Sequence, residues 1–210
     1  MKMYFLIMAI LLSLFGCNAI ESTSSSKGYY LSRWLWNKKE ISVCFLRNPT
    51  MQDQERAIVK RLVDSTWHQH IDLRFTGWGY CDSKDADITI DMDNAIGGSS
   101  FVGSSSVGNK PSMYLQNLRN PSSRNIGYYE FGIVHEFGHA LGIIHEHQRP
   151  DRPADEEIAG CRNGQTIHIN GETFKEYDPN SIMNYCKQPY LPILSAGDIA
   201  TIKHMYPRDN

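Results

Sequence analysis

The chain has 210 residues, of which 41% are hydrophobic, and its formal net charge at pH 7 is −2. This length and hydrophobic fraction suffice for one domain with a substantial core. The near-neutral charge excludes a function that depends on electrostatic attraction to nucleic acid.

The N-terminal residues have the pattern of an export signal. Lys2 precedes an apolar run, residues 3–15, which is too short to span a bilayer comfortably. We therefore predict a signal peptide over residues 1–17. A serine-rich tether is predicted over 18–30, followed by a single domain over 31–210.

Two processing patterns overlap at the end of this signal. Residues 14–17 resemble the lipobox of bacterial lipoproteins, in which the cysteine, here Cys17, is lipidated and becomes the mature N-terminus. Cys17 to Ala19 also fits a small-x-small signal-peptidase site, where cleavage would release a soluble protein. We favour lipidation, because a polar tether follows the cysteine. With Asn18 next to it, the expected location is the outer membrane or cell surface; the alternative is a periplasmic or secreted protein.

Hydrophobic periodicity predicts mixed strands and helices. Residues 41–46 alternate apolar and polar side chains and are predicted to form a strand. Thr50 and Asp53 are a capping pair for a helix that extends to about Gln69. Three more strands are predicted over 71–76, 88–92 and 111–117, with a glycine- and serine-rich loop over 97–108.

The second half of the domain is predicted to contain two helices separated by an irregular segment. The first helix covers residues 125–141, and the irregular segment covers 151–179. Ser195 and Asp198 cap the last helix, which ends near Tyr206.

Five residues between positions 135 and 145 have the spacing of a catalytic zinc site. His135 and His139 lie four positions apart, so a helix brings both imidazoles to one face and toward one metal ion. Glu136 is displaced round the helix and is suited to take a proton from an activated water. Gly142 can end the helix in left-handed backbone space, which lets His145 become a third ligand. Three protein ligands leave one position open, as in catalytic zinc sites.

Two observations separate this pattern from a buried helix with core histidines. A core helix has no use for Glu136 in an apolar segment, because an unpaired buried carboxylate is costly. Downstream, residues 181–185 match the Met-turn that accompanies the elongated zinc motif in metzincins. His147 competes with His145 as the third ligand, but the spacing from Gly142 favours His145.

Three segments resemble the astacin family of metzincin zinc metalloendopeptidases: the zinc motif with its continuation over 145–152, the Met-turn with Tyr185, and residues 194–206. The resemblance covers most of the chain from about Leu31 to Tyr206. It implies an α+β fold with a twisted mixed sheet, an edge strand over the cleft, an active-site helix and an irregular lower lobe with a C-terminal helix. In the family the substrate lies along the edge strand, which is assigned here to residues 111–117.

The resemblance also implies roles for individual residues. His135, His139 and His145 would bind one Zn²⁺ per chain, and Glu136 would be the general base. Tyr185 would be a further zinc ligand in the resting enzyme and would stabilise the oxyanion once substrate binds. Beneath the imidazoles, the Met-turn methionine would form an apolar floor.

The implied protein is an exported zinc endopeptidase, expected to be a monomer, that acts on proteins or peptides and does not bind nucleic acid. One alternative is a surface-anchored binding module with an inactive zinc site. An intact Glu136 argues against it, because a non-catalytic site has no use for a general base. The other alternative is a zinc amidase that acts on cell-wall peptides, against which the Met-turn argues.

Beyond Cys17, four cysteines remain in a chain directed to an oxidising compartment, so two disulfides are predicted. Three connectivities are possible. Proximity along the chain favours Cys44 with Cys81 and Cys161 with Cys186.

The chain departs from the family pattern near its N-terminus. Astacins typically have a pro-segment whose aspartate occupies the zinc, and no Phe-x-Gly-Asp element occurs here. A Cys17 thiolate is an alternative latency ligand if lipidation fails. In the family the glutamate after the third histidine contacts the mature N-terminus. A lipid-anchored N-terminus could not reach Glu146, so we predict that Glu146 pairs locally with Arg149 or Arg152.

Overall fold

The computed structural model describes residues 28–48, 53–82, 85–93, 98–119, 125–153, 169–174, 176–186 and 189–208. The predicted signal peptide and residues 18–27 of the predicted tether lie outside these ranges. Of the helices in the described ranges, none is both long and apolar enough to cross a membrane.

The described residues form the mixed strands and helices that the α+β prediction requires. The strands are β1 Gly28–Tyr30, β2 Glu40–Phe45, β3 Arg74–Tyr80, β4 Ile88–Asp93, β5 Ser99–Ser100, β6 Met113–Gln116 and β7 Glu172–Phe174. The helices are α1 Asp53–Ser65, α2 Ile126–Ala140 and α3 Ala196–Met205. Five strands form one sheet in the order β3-β2-β4-β6-β5, and β1 pairs with β7 separately. The main sheet is mixed, because β5 is antiparallel to β6 while the other neighbours are parallel.

The edge strand beside the cleft is the short β5, so the assignment of the edge to residues 111–117 was wrong. Strand β6 lies within that segment but pairs with β4 on one side and with β5 on the other. Ser99 pairs with Tyr114, and Ser100 pairs with Met113. A two-residue strand in a glycine- and serine-rich segment has no readable alternation, which is why residues 97–108 were predicted as a loop only.

Helix α1 ends at Ser65, earlier than predicted, because a tertiary contact redirects the chain. Thr66 leaves helical geometry with φ −119° and ψ −94°, and a 3₁₀ turn follows. The fully buried Trp67 then donates its indole Nε1–H to the carbonyl oxygen of Val134, at 2.8 Å. The predicted strand over 71–76 correspondingly begins later, at Arg74.

Helix α2 matches its predicted bounds and is buried against the sheet. The side chain of Asn125 caps it by accepting a hydrogen bond from the backbone nitrogen of Tyr128. Phe137 packs between Phe75 and Trp78 of β3, with ring centroids 5.8 and 5.9 Å away. These contacts hold the C-terminal part of the helix, which carries His135 and His139, under the sheet.

Residues 28–30, predicted as the end of the tether, are part of the folded domain. They form β1, in which Tyr29 is only 2% exposed and pairs with Thr173 of β7. The carbonyl oxygen of Tyr29 also accepts a hydrogen bond from the backbone nitrogen of Ile144, at 2.8 Å. Strand β1 therefore contacts the chain just beyond α2.

One predicted disulfide is confirmed. Cys44 and Cys81 are bonded to each other and join β2 to the residue that follows β3. Cys186 is also disulfide-bonded, but its predicted partner, Cys161, lies outside the described residues.

Candidate active site

The turn at the end of α2 brings the third histidine back toward the first two. Gly142 has φ +103°, a left-handed conformation that side chains other than glycine rarely adopt. Its backbone nitrogen donates to the carbonyl oxygen of His139 at 2.8 Å, and the nitrogen of Ile143 donates to that of Gly138 at 3.0 Å. These bonds close the helix and reverse the chain before His145, as the sequence predicts.

The three predicted ligands converge through their Nε2 atoms. The Nε2 atom of His145 lies 3.3 Å from that of His135 and 3.0 Å from that of His139. His135 Nδ1 lies 2.9 Å from the carbonyl oxygen of Ile182, and His139 Nδ1 lies 2.8 Å from that of Ile143. Because a carbonyl oxygen only accepts, each Nδ1 carries the proton and each Nε2 presents a lone pair.

This arrangement fits a metal cation. Burial lowers the pKa of His135 to about 3 and that of His139 to about 4, so both rings are neutral at pH 7. Burial and the neighbouring histidines lower the pKa of His145 as well. Neutral nitrogens with converging lone pairs repel one another unless a cation lies between them. Among the described residues, these three histidines form the group whose ligand atoms are close enough to hold one ion.

Glu136 lies next to the ligands and is shielded from water. Its side chain is almost fully buried, and burial raises its pKa to about 8. The backbone at Gly98 covers it so closely that an added Cβ would lie 2.7 Å from Glu136 Oε1. The other carboxyl oxygen, Oε2, has no hydrogen-bond partner within the described structure. The carboxyl group therefore has one buried oxygen without a hydrogen-bond partner.

Tyr185 lies against two of the ligand histidines. Its ring centroid is 4.9 Å from that of His135 and 4.4 Å from that of His145, and the residue is 42% exposed. Burial of the ring and the nearby Glu136 raise the pKa of Tyr185, so the phenol is protonated at neutral pH. The side chain can therefore act as a hydrogen-bond donor at the open side of the cluster.

His147, the competing candidate for third ligand, has another role. It is buried, and its Nδ1 accepts a hydrogen bond from the backbone nitrogen of Tyr185 at 3.3 Å. Its ring packs on His145 and Tyr185, with centroids 4.9 and 5.0 Å away. His147 therefore packs on the ring face of His145. It does not belong to the group of three histidines whose nitrogens converge.

The Met-turn lies directly beneath α2. Met183 is fully buried, and a Cβ added to Gly138 would overlap its sulfur atom. Gly138 thus allows the methionine to approach the helix backbone between the two histidine ligands.

The C-terminal helix supports the Met-turn through a buried carboxylate. Asp198 accepts hydrogen bonds from Ser181 Oγ at 2.6 Å and from the backbone nitrogen of Ile182 at 2.9 Å. It also completes the predicted capping box of α3 with Ser195. Because the carbonyl oxygen of Ile182 accepts from His135, a continuous path of hydrogen bonds joins α3 to the first ligand.

Of the two arginines predicted as local partners of Glu146, Arg149 and Arg152, the structure pairs it with Arg149. The two side chains are fully buried, and Arg149 Nη1 lies 3.3 Å from Glu146 Oε1. The same carboxyl oxygen accepts from the backbone nitrogen of Asp178 at 2.7 Å. Arg149 also donates to the carbonyl oxygen of Gly28 at 2.6 Å and to both carboxyl oxygens of Asp151 at 2.8 Å. This cluster ties β1 and the segment before the Met-turn to the chain after His145.

Three residues that contribute to this site had not been predicted to do so. Gly98 lies in a segment without periodicity, and nothing in the sequence indicates that it covers Glu136. Gly138 lies inside the zinc motif, but the packing against Met183 is a tertiary contact. Asp198 was predicted only as a helix cap, which is a local role.

The fold and the site together define the metzincin class of zinc peptidases. A mixed sheet lies over a helix with two candidate histidine ligands, a glycine turn leads to the third, and a methionine lies beneath them. The chain belongs to the astacin family, because the model of the peptidase family described as Astacin matches residues 30–206. Zinc is accordingly the metal that the histidine triad would hold.

Individual relatives agree with this assignment. The zinc metalloproteinase nas-38 of Caenorhabditis elegans is 32% identical over 142 residues, covering 61% of this chain and 18% of the relative. Flavastacin of Elizabethkingia meningoseptica is 33% identical over 100 residues, covering 35% of this chain and 23% of the relative. The chain thus spans less than a quarter of the length of these two curated relatives. The solved structure of myroilysin matches with a TM-score of 0.66 and 21% identity, covering 87% of this chain and all of that one, and shows the same fold.

Proposed function

We propose that this protein is an exported zinc endopeptidase that hydrolyses peptide bonds in proteins or peptides outside the cytoplasm. The observation that carries the proposal is the convergence of three neutral histidine nitrogens beside a carboxyl oxygen of Glu136 that has no hydrogen-bond partner. A catalytic zinc site requires three protein ligands, an open position and a nearby base. Three converging histidines and a neighbouring glutamate among the described residues support the proposal.

Each residue of the site has a proposed role, and Tyr185 has two: it would be a further zinc ligand in the resting enzyme and a hydrogen-bond donor once substrate binds. His135, His139 and His145 hold Zn²⁺, which when bound supplies a Lewis acid that polarises the peptide carbonyl and lowers the pKa of a water molecule. Glu136 takes the proton of the attacking water and returns it to the leaving amine. The protonated hydroxyl of Tyr185 donates a hydrogen bond to the oxygen that becomes negatively charged in the transition state.

Hydrolysis of unfolded casein by the purified chain tests this proposal. Cleavage should stop when a chelator removes zinc and return when zinc is restored. The Glu136→Gln variant should keep one zinc per chain and lose about 10²–10⁴-fold in kcat, which is the usual contribution of a general base. Glu130→Gln, on the same helix but paired with Arg61 at the surface, is the matched control and should cleave normally.

The two alternative functions give different results in the same assay. A binding module would be folded and loaded with zinc but would cleave neither casein nor peptidoglycan. A zinc amidase would release fragments from purified peptidoglycan and leave casein intact. Retained casein hydrolysis in Glu136→Gln would contradict the role of Glu136 as the base.

We also propose that the chain is anchored to a membrane through lipidated Cys17. The lipobox-like residues 14–17 and the polar segment that follows them support this proposal. Cells that express the full chain with a labelled fatty acid should yield a labelled, membrane-associated protein. The Cys17→Ser variant should be unlabelled. The control variant Ser24→Ala should be labelled and membrane-associated, as the wild type is. An unlabelled wild-type protein in the soluble fraction would support the secreted or periplasmic alternative.

A further inference from the structure

A pocket opens beside Glu136 along the N-terminal half of α2. We call it the side pocket and define it by its wall residues, Leu115, Tyr128, Phe131, Gly132 and Ile133, which line it together with Glu136. Because Glu136 is the proposed base, a peptide bond that reacts there has one of its two flanking residues next to the side pocket.

The largest side chains that line the side pocket are aromatic or aliphatic, and its polar surface comes from Gln116, Glu136, His135 and the tyrosine hydroxyls. The rings of Phe131 and Tyr128 pack on Tyr190, with centroid distances of 4.9 and 5.4 Å. Tyr190 donates a hydrogen bond to the carbonyl oxygen of Tyr185 at 3.2 Å, which joins this wall to the segment after the Met-turn. Among the described residues that line the pocket, none is a lysine or an arginine, and the one carboxylate is Glu136. Walls of this kind favour an apolar occupant.

Gly132 leaves space where other residues would place a side chain. A Cβ built on Gly132 meets no atom within 4 Å, although the residue lines the pocket. Gly132 precedes Glu136 by four positions, so the two lie on the same face of α2. At Gly138, by contrast, an added Cβ would overlap Met183. The glycine at 132 is therefore not required by close packing, and its consequence is a wider pocket.

We infer that the side pocket binds the side chain of one substrate residue that flanks the cleaved bond, and that Gly132 makes the pocket wide enough for a large apolar or aromatic side chain. This inference rests on the proposed endopeptidase function. An acidic side chain would meet the carboxylate of Glu136, and a basic one would lose hydration against an aromatic wall. Leucine, methionine, phenylalanine and tyrosine are the expected occupants.

The cleavage sites of the zinc-loaded chain in a complex peptide mixture, identified by mass spectrometry, test the inference. One flanking position should be enriched in large apolar residues. In Gly132→Leu the added side chain fills the pocket, and the preference at that position should shift to alanine, serine and glycine. For two peptides that differ only there, the kcat/KM ratio of phenylalanine over alanine should fall at least about tenfold, since one methylene in a pocket changes discrimination by that factor. Gly132→Ala should show a smaller shift in the same direction.

Gly79→Leu is the matched control. An added Cβ at Gly79 also meets nothing within 4 Å, but the residue lies on β3 and does not line the pocket, so its cleavage profile should equal that of the wild type. An unchanged profile in Gly132→Leu, or a wild-type preference for charged residues, would overturn the inference and leave the peptidase proposal intact. Absence of any cleavage by the zinc-loaded wild type would overturn both.

Discussion

Helix α2 is packed on two sides, and the lower side adds a set of buried charged groups to the apolar contacts that both sides share. One apolar cluster packs on both sides of the helix. On the upper side it is formed by the five-stranded sheet with α1; its members from β2 and β4, each at most 1% exposed, include Ile41, Val43, Ile88 and Ile90. On the lower side it continues to Met183 and Ile202. On the lower side, residues 143–153 and 176–186 with α3 bury charged groups, each at most 4% exposed: Glu146, Arg149, Asp178 and Asp198. We call these two parts the upper region and the lower region.

The two regions contribute differently to the stability of α2 and to the orientation of the imidazoles. Apolar burial is non-directional, so the upper region stabilises α2 without determining how an imidazole is turned. Charge-assisted hydrogen bonds have defined directions, and one of those in the lower region reaches a residue whose backbone contacts a candidate ligand. Ile182 is that residue, because its nitrogen donates to Asp198 and its oxygen accepts from His135. Substitutions in the upper region should therefore change only the free energy of unfolding. Substitutions in the lower region should change both the free energy of unfolding and the affinity for zinc.

The largest loss of stability is expected from Arg149→Met. The substitution leaves the buried Glu146 without its cationic partner, which costs about 3–5 kcal/mol when a buried ion pair is broken on one side. Chemical denaturation measures the change. Arg74→Met is the control: Arg74 pairs with Glu40 at the surface, where such pairs contribute about 0–1 kcal/mol. Equal losses in the two variants would show that the buried ion pair contributes no more to the free energy of unfolding than a surface ion pair.

A similar loss without an effect on zinc is expected from Ile90→Ala in the upper region. Ile90 is fully buried, and removal of its side chain should cost about 2–5 kcal/mol. Zinc affinity of the folded variant, measured by competition with a chelating dye, should match the wild type. A large drop in zinc affinity would show that the upper region also orients the candidate ligands.

Asp198→Asn should reduce both the free energy of unfolding and the affinity for zinc. Asparagine has nearly the same shape but lacks the charge, so the hydrogen bonds from Ser181 and Ile182 weaken, at a cost of about 1.5–3 kcal/mol. Because Ile182 orients His135, zinc affinity should fall about 10–100-fold, as for other residues that support a ligand. Asp72→Asn, at an exposed ion pair, should change neither. Normal zinc affinity in Asp198→Asn would show that the path through Ile182 does not orient the ligand.

Two alanine substitutions on α2 give the smallest effects, and they should have opposite signs. Gly138→Ala should cost about 1–3 kcal/mol, because the new methyl group overlaps Met183. Gly132→Ala should stabilise by up to about 1 kcal/mol, because alanine favours the helix and the site is open. Thermal unfolding of the zinc-free proteins compares them directly. Destabilisation by Gly132→Ala would mean that the side pocket has no room for the added methyl group.

Much of the candidate site could be predicted, because it depends on spacing along a helix. The positions of His135, His139 and Gly142 already require two ligands on one face and a turn after them. The cap at Asn125 and the capping box at Ser195 are equally local. By contrast, β5 contains two residues, too few for periodicity, and the early end of α1 depends on the contact of Trp67 with Val134. Short strands and contact-driven breaks have no signal within their own segment.

By itself, the sequence determined the α+β class, the zinc motif and the Met-turn, since helix geometry relates residues a few positions apart in any fold. Only the tertiary structure decided which residues support that motif. Arg149 reaches Gly28 across 121 positions, Asp198 reaches Ile182 across 16, and Gly98, the residue before β5, covers Glu136. Such contacts depend on the path of the whole chain, and any spacing along the sequence is compatible with them. Local geometry thus specified the metal ligands, and long-range packing specified their orientation and the shape of the side pocket.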